Sequence, residues 1–422
     1  MALKTNPKKP APPIDRNFAD APEPAVAGAT SWDFTYAELF AGIGGFRVAL
    51  DSLGGKCVFA SEWNKQSQDT YEKNHGERPQ GDITKIDPND IPDHDILTGG
   101  FPCQTFSVAG VAKLSSLGKD HGLRDPTKGT MFGYTKEIIA AKRPKMFFLE
   151  NVKNIRHHDG GKTFTTIVEH LKGLDYHVVT GVQTSVWWVP QHRERMFFIG
   201  FDNQQFDPTK ITTFAFPPPP EGIVPPKFGS IFDADLDERE RARLTDRQWE
   251  YLQEYVKRPR KGAKDGRGFH YDMNTPDSVA RTLLACGSGG SALLIEDPPG
   301  KNPRRPTPRE FARLMGFPDT FVVPKSITLA QRQFGNAVVP PLIRHVAEAM
   351  LRLAATVGPN PNPLPLSAIV NVPVIPPDKP RKKERRADKV DMPMGGLAVL
   401  ESDEPVKNRP KCSWDALGLV KS

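Results

Sequence analysis

Chemistry concentrates around one thiol. Gly99-Gly100-Phe101-Pro102-Cys103-Gln104-Thr105-Phe106-Ser107 closes an apolar run, Ile96-Leu97, that reads as a buried strand. The glycines allow a tight turn, and Pro102 fixes one dihedral on the approach to Cys103. A lone cysteine is more often a buried packing residue. Three conformationally special neighbours serve packing poorly, so Cys103 is a candidate nucleophile at a strand's carboxyl end.

Two further groups would reach the same edge. Lys145 to Leu149 is a second buried strand, and it delivers Glu150-Asn151-Val152. A partly desolvated carboxyl there would have a raised pKa and could act as an acid. Pro190-Gln191-His192-Arg193-Glu194-Arg195 precedes the apolar strand Met196 to Gly200. On an extended segment Arg193 and Arg195 point to one side, where two guanidinium groups suit a phosphate or a base carbonyl.

These groups need a scaffold, and the N-terminal half supplies one. Phe34 to Phe40 reads as a strand, Ala41-Gly42-Ile43-Gly44-Gly45-Phe46 as a glycine-rich turn, and Arg47 to Leu53 as a helix. Strand, glycine turn and helix open a nucleotide-binding βαβ unit. Cys57 to Ala60 is a second strand, ending at Glu62 and Trp63. After a helix from Gln66 to Asn74 comes Gly81-Asp82-Ile83. An acid that accepts from a ribose diol, an aromatic over a base and an acceptor for an exocyclic amine together fit an adenosyl ligand. No phosphate-binding loop pattern supports ATP. The expected fold is an α/β sheet of the Rossmann-like type.

Further helices are expected from Phe132 to Lys142 and from Phe164 to Gly173, with a strand from Tyr176 to Val182 between the latter and the arginines. The stretch from Ala109 to Thr130, polar and glycine-rich, reads as a clasping loop. Residues 201–303 change character. Pro217 to Pro220 is a stiff break, Asp233 to Tyr255 is charged and helical, and Lys257 to Arg267 is basic, with Phe269 and Tyr271 beside it. Such a loop suits a nucleic-acid groove. Ser278 to Ala285 and Ala292 to Glu296 read as strands. This section is expected to be a small, mostly irregular recognition domain. Arg304 to Phe317 and Leu342 to Ala355 return to helix, with Thr307 as cap, Pro308 in the first turn and Gly316 closing the former. The domain reading is therefore 1–32 as a disordered tail, 33–200 catalytic, 201–303 recognition, 304–357 catalytic again, and 358–422 as a second disordered tail that activity does not need.

The formal net charge of +7 suits a polyanion partner. Four widely spaced cysteines form neither a zinc pattern nor a disulfide framework, so no metal is expected and a reducing compartment fits. No apolar stretch is long enough to span a bilayer, and no signal peptide is expected.

The ordered set of motifs resembles the DNA (cytosine-5)-methyltransferases of bacterial restriction-modification and Dcm type, over roughly residues 33–355. It runs through Phe40-Ala41-Gly42-Ile43-Gly44-Gly45, Glu62-Trp63, Gly81-Asp82-Ile83, Gly100-Phe101-Pro102-Cys103-Gln104, Glu150-Asn151-Val152 and Gln191-His192-Arg193-Glu194-Arg195. It ends with Arg309-Glu310, Arg313-Leu314-Met315-Gly316-Phe317 and Gly335-Asn336-Ala337-Val338-Val339-Pro340. The resemblance implies an S-adenosylmethionine-dependent methyltransferase sheet with an inserted target-recognition domain, acting on double-stranded DNA through base flipping. It places S-adenosylmethionine on Gly42, Gly44 and Gly45, with Phe40, Trp63 and Pro102 around it. Glu62 would hold the ribose, Asp82 and Ile83 would read the adenine edge, and Asn336 would close the pocket. Cys103 becomes the nucleophile, Glu150 the acid, and Arg193 and Arg195 the target clamps. Gln104, Ser107, Asn151, Gln191 and Arg267 would meet the DNA.

Within residues 244–296, Leu244-Thr245, Trp249, Gly266-Arg267-Gly268-Phe269 and Ala280-Arg281-Thr282-Leu283 resemble Dcm-type recognition domains and suggest a short palindrome such as CCWGG. The stretch Cys286-Gly287-Ser288-Gly289-Gly290 departs from that likeness, and Ala337 stands where many members carry Ser. The resemblance further implies a monomer in the bacterial cytoplasm, near the nucleoid, with a cognate restriction endonuclease as its partner. A tRNA cytosine-5 methyltransferase and a catalytically inactive DNA-binding paralogue are the competing readings.

Overall fold

The computed structural model describes residues 32–102, 130–257, 270–285 and 291–363. Strand β1 (Phe34–Leu39) leads into helix α1 (Gly45–Asp51), strand β2 (Gly55–Ser61) and helix α2 (Lys65–His75). Strand β3 (Ile96–Gly100), helix α3 (Met131–Lys142), strand β4 (Met146–Val152) and helix α4 (Lys162–Gly173) follow. A final pair, β5 (Tyr176–Thr184) and β6 (Glu194–Asp202), completes a six-stranded sheet in the order β2-β1-β3-β4-β6-β5.

Strands β1 to β4 pair in parallel, whereas β6 runs antiparallel between β4 and β5. The buried pattern of β4 and β6 explains why both read as continuous apolar runs: helices or loops cover each face. The chain passes from β1 outward to β2 and then back across to β3. The order therefore reverses between β1 and β3, and ligands of open α/β sheets bind at such a point.

The expected recognition section is built from helix α5 (Leu236–Arg241), helix α6 (Asp246–Lys257) and a two-stranded parallel ribbon, β7 (His270–Asn274) with β8 (Ser291–Ile295). It has a satellite core of Leu244, Leu252, Ala292 and Leu294. The charged stretch 233–255 is helical as expected, in two helices. Two sequence expectations differ here. Residues 278–285 form no strand: a single bridge pairs Ala280 with Gln191, and the segment's other bonds go to scattered groups, among them Phe228 N–H, Gln191 Oε1 and the Arg193 guanidinium. Packing does not break at residue 201, because Phe206, Ile211, Phe214, Phe228 and Ile231 belong to the same core as β1 and β4.

The chain returns through helices α7 (Pro308–Leu314), α8 (Ile327–Asn336) and α9 (Pro340–Thr356). Thr307 and Glu310 form the capping box that starts α7, and Gly316 takes φ 74° at its close. A buried ionic knot fastens the recognition section here. Arg304, fully buried, donates to both oxygens of Glu310 (2.7 and 2.8 Å) and to Asp297 (2.9 Å). Arg239 also pairs with Asp297, and Glu310 accepts from the Asp233 N–H at 3.0 Å. Glu310→Ala leaves the Arg304 charge half-compensated in a dry site. The expected loss is about 3–5 kcal/mol of unfolding free energy, measurable by urea denaturation.

The ordered chain also runs past the expected limit at 357. Asp207 N–H donates to Gly358 O, and the Asn360 side chain donates to Asn203 O at 2.6 Å. Truncation after residue 363 is expected to keep activity within about twofold, whereas truncation after 357 removes these ties and should lower Tm by several degrees, roughly 1 kcal/mol per lost bond.

Candidate active site

Sheet register brings the site together. Leu39 pairs with Gly99, and Gly100 pairs with Glu150. The carboxyl ends of β1, β3 and β4 therefore lie side by side. Both glycines make close contacts here: a Cβ on Gly99 would stand 3.0 Å from Leu39 O, and one on Gly100 would stand 3.1 Å from Glu150 Oε2, which would have to shift. Cys103, Gln104 and Ser107 lie outside the described residues, as does Arg267. The chain enters that segment from Phe101, whose carbonyl accepts from Asn151 Nδ2 at 2.8 Å.

Glu150 faces Arg195, whose Nε lies 2.9 Å from Oε1, and both side chains are largely shielded from solvent. Burial pushes the Glu150 carboxyl above its ordinary range, while the positive charges of Arg195 and Arg193 oppose that shift. The pair borders a small hollow lined also by Ser185, Val338 and Val339. A carboxyl so placed can share a proton with a ring nitrogen, and the guanidinium fixes its orientation.

The turn expected to cradle a cofactor has the required backbone. Phe40 sits at φ 55°, Gly42 at 58° and Gly44 at 87°, all left-handed. Gly45 begins α1 and packs against Val338, whose Cγ2 would lie 2.7 Å from an added Cβ. Glu62 reaches back over the turn: Oε2 accepts from Gly42 N–H (2.9 Å) and Oε1 from Asn64 N–H (2.8 Å). These bonds fix the carboxylate and leave lone pairs for a diol. Trp63 is 48% exposed at the same edge, which leaves its ring available to a planar ligand. Asp82 caps a short 3₁₀ turn through Oδ1, which accepts from Thr84 N–H and Oγ1. The Ile83 side chain lies in the core, so only its main chain can face a ligand. Asn336, at the end of α8, is exposed, and Pro102 is exposed at the end of the described approach.

Three expected contact residues are otherwise engaged. Asn151 is 3% exposed and holds the Phe101 carbonyl, so it sets the path towards Cys103 rather than facing DNA. Gln191 is fully buried; its Nε2 donates to Leu314 O and its Oε1 accepts from Leu283 N–H. Arg193 is 2% exposed, and its guanidinium donates to Leu283 O (3.1 Å), Gly335 O (3.0 Å) and Ala337 O (2.7 Å). Only Arg195 of the expected arginine pair combines partial exposure with contact to Glu150. Arg193 precedes β6, which begins at Glu194, and what each guanidinium touches depends on segments far along the chain.

Glu38 was not singled out by the sequence. It is 1% exposed on β1 beneath the glycine turn; Oε2 accepts from Tyr71 O–H at 3.4 Å, and Oε1 has no partner. Burial raises its carboxyl to about 8, against the lowering effects of the Arg47 charge and N–H and of Tyr71. The native state therefore prefers the neutral acid. The associated stability is complete below pH 4.5 and is lost as pH rises towards 8. Glu38→Gln should match the wild type near pH 4.5 and exceed it progressively up to pH 8, with a ceiling of about 5 kcal/mol; thermal melts across that range test it.

Among the described residues, no cluster of His, Cys, Asp and Glu could hold a metal ion, and no helix is long and apolar enough to cross a membrane.

Known proteins are similar to this chain. A family model for C-5 cytosine-specific DNA methylase covers residues 34–352. The chain is 43% identical over 320 residues to type II methyltransferase M1.ScrFI of Lactococcus lactis subsp. cremoris, covering 75% of this chain and 77% of that protein. It is 42% identical over 323 residues to M.NlaX of Neisseria lactamica, covering 75% and 96%. Its fold is similar to that of the Dnmt2 methyltransferase of S. pombe, with a TM-score of 0.57 at 20% identity over 76% of this chain and 99% of that one. The chain accordingly belongs to the C-5 cytosine-specific DNA methyltransferase family.

Proposed function

We propose that the enzyme methylates C5 of a cytosine flipped out of duplex DNA, through a covalent bond between Cys103 and C6. The observation that carries this reading is the register of Gly100 on Glu150, with Arg195 at 2.9 Å, three residues before the thiol.

The methyl donor is S-adenosylmethionine, which supplies an electrophilic methyl group on a sulfonium. Its holders are Gly42, Gly44 and Gly45 beneath it, Glu62 at the ribose, Trp63 and Phe40 about the base, Asp82 at the adenine edge, and Asn336 with Pro102 at the rim. The anchored Glu62 carboxylate and the exposed Trp63 face fit that group.

Cytosine C5 is a poor nucleophile. Attack of the Cys103 thiolate on C6 forms the S–C6 bond and makes C5 enamine-like. Negative charge moves to N3, where Glu150 shares its proton, and Arg195 holds Glu150 in place. C5 then takes the methyl group and loses its proton to a base such as water. Elimination breaks the S–C6 bond and frees the thiolate. The target atom is stacked inside the duplex, so the nucleotide must leave the helix first. Gln104, Ser107 and Arg267 are proposed DNA contacts, within a short palindrome such as CCWGG. The enzyme is proposed to act as a monomer in the bacterial cytoplasm, at the nucleoid, alongside a cognate endonuclease.

Incubation with labelled S-adenosylmethionine and either duplex DNA or tRNA tests the substrate class. Label in DNA is expected; label in tRNA alone overturns the reading, and label in neither points to an inactive paralogue. Bisulfite sequencing of DNA from expressing cells then reports the site.

A further inference from the structure

Arg193 touches two segments of the molecule with one guanidinium. Its donors reach Leu283 O in the recognition section, and Gly335 O in the last turn of α8 with Ala337 O just after it. The first segment belongs to the section expected to read DNA, and the second holds Asn336 of the proposed cofactor pocket.

The recognition side is docked along its length. Ala280 N–H donates to Pro190 O, His192 N–H to Ala280 O, Thr282 Oγ1 to His192 O and Leu283 N–H to Gln191 Oε1. This segment is therefore held by residues 190–192, just before the strand that carries Arg195.

The 335–339 side faces the cofactor turn and the acid. Val338 packs on Gly45, and Val338 with Val339 lines the hollow beside Glu150 and Arg195. The two segments also meet directly: a Cβ on Gly335 would stand 2.5 Å from Ala285 N and 2.7 Å from the Leu284 carbonyl carbon. A contact so close has little slack, so displacement of one segment must displace the other.

We infer that Arg193 is a positioning residue that couples DNA binding to cofactor binding by fastening the 280–285 segment to the 335–339 segment. It does not clamp the flipped base. A buried guanidinium whose two terminal nitrogens donate to carbonyls from two segments fixes their relative position, and loosening it lets each segment settle without the other. This inference rests on the cofactor and DNA assignments proposed above.

The test is the affinity for S-adenosylhomocysteine, measured by calorimetry with and without an unmethylated duplex that the wild-type enzyme methylates. In the wild type, DNA is expected to tighten S-adenosylhomocysteine at least about fivefold. Arg193→Met should bring that ratio to within about twofold of one, and Arg193→Lys, which keeps a charge and can reach one carbonyl, should retain part of it. A purely structural Arg193 would lower Tm and the folded fraction but leave the ratio unchanged. If Arg193→Met does not fold, Arg193→Lys alone decides. An undiminished ratio in the folded variant, or a wild-type ratio of one, overturns the coupling role. Absence of any S-adenosylhomocysteine binding by the wild type instead overturns the cofactor assignment beneath it.

Discussion

Cys103→Ala is expected to abolish methyl transfer, by at least about 10⁴-fold, while S-adenosylhomocysteine binding stays within about twofold of wild type. The nucleophile is the only group that turns C5 into an electron-rich carbon. No neighbouring donor can replace a bond from sulfur to C6. The glycine turn, Glu62 and Trp63 lie on β1, β2 and their following loops, so the substitution leaves them in place. A Cys103→Ser variant should fare little better, since a hydroxyl ionises far less readily than a thiol. Two measurements check the assignment together. Single-turnover transfer of labelled methyl should fall to background in the alanine variant, and a duplex with 5-fluorocytosine at the target should trap the wild type as a stable adduct. Measurable turnover by Cys103→Ala, or a wild type that never forms the adduct, defeats the covalent route.

Glu150→Gln carries the second largest expected loss, roughly 10²–10³-fold in the rate of the chemical step. Glutamine keeps the shape and a donor but cannot deliver a proton to N3, and it gives up the ion pair with Arg195. The pH profile separates this from a folding defect. Burial lifts the Glu150 carboxyl above its ordinary range, so the neutral acid persists to higher pH than it would in water. The wild-type rate should rise with pH as the Cys103 thiolate forms, then fall as Glu150 loses its proton. In Glu150→Gln the falling limb should vanish while the rising limb remains. An unchanged bell shape would assign the alkaline limb to another group. Tm is expected to fall, because the variant leaves the shielded Arg195 guanidinium without its carboxylate, so the rate is normalised to the folded fraction.

The two residues illustrate how unevenly the site could be read from the chain. The glycine turn and Glu62 with Trp63 are short stretches that follow strands, and Gly81-Asp82-Ile83 is a short stretch after the bridge residue Gln80. Their geometry depends on local backbone preferences and a period of two, which are written in consecutive residues. The helix starts at Thr307 and Pro308 were legible for the same reason, because caps act within one turn. Misreadings occurred wherever a residue's partner lay far along the chain. The stretch 278–285 has apolar alternation like a strand, yet its hydrogen bonds go to Gln191, His192 and Arg193, about 90 residues earlier. The seam at 201 has a real change in composition, but Phe206 and Phe214 still pack in the main core.

Over residues 34–202 sequence alone determined the order of strands and turns, the residue types at each carboxyl edge, and the chemistry those types permit, because these follow from local conformational preference and intrinsic reactivity. Only the tertiary structure decided which polar groups are already engaged. Arg193 and Arg195 differ by two positions, yet one spends its donors on three main-chain carbonyls and the other holds the acid. Glu38 reads as an ordinary strand acid until packing removes its water. Burial and long-range hydrogen bonding set the energy of a charge, and both depend on segments that meet only after the chain has folded.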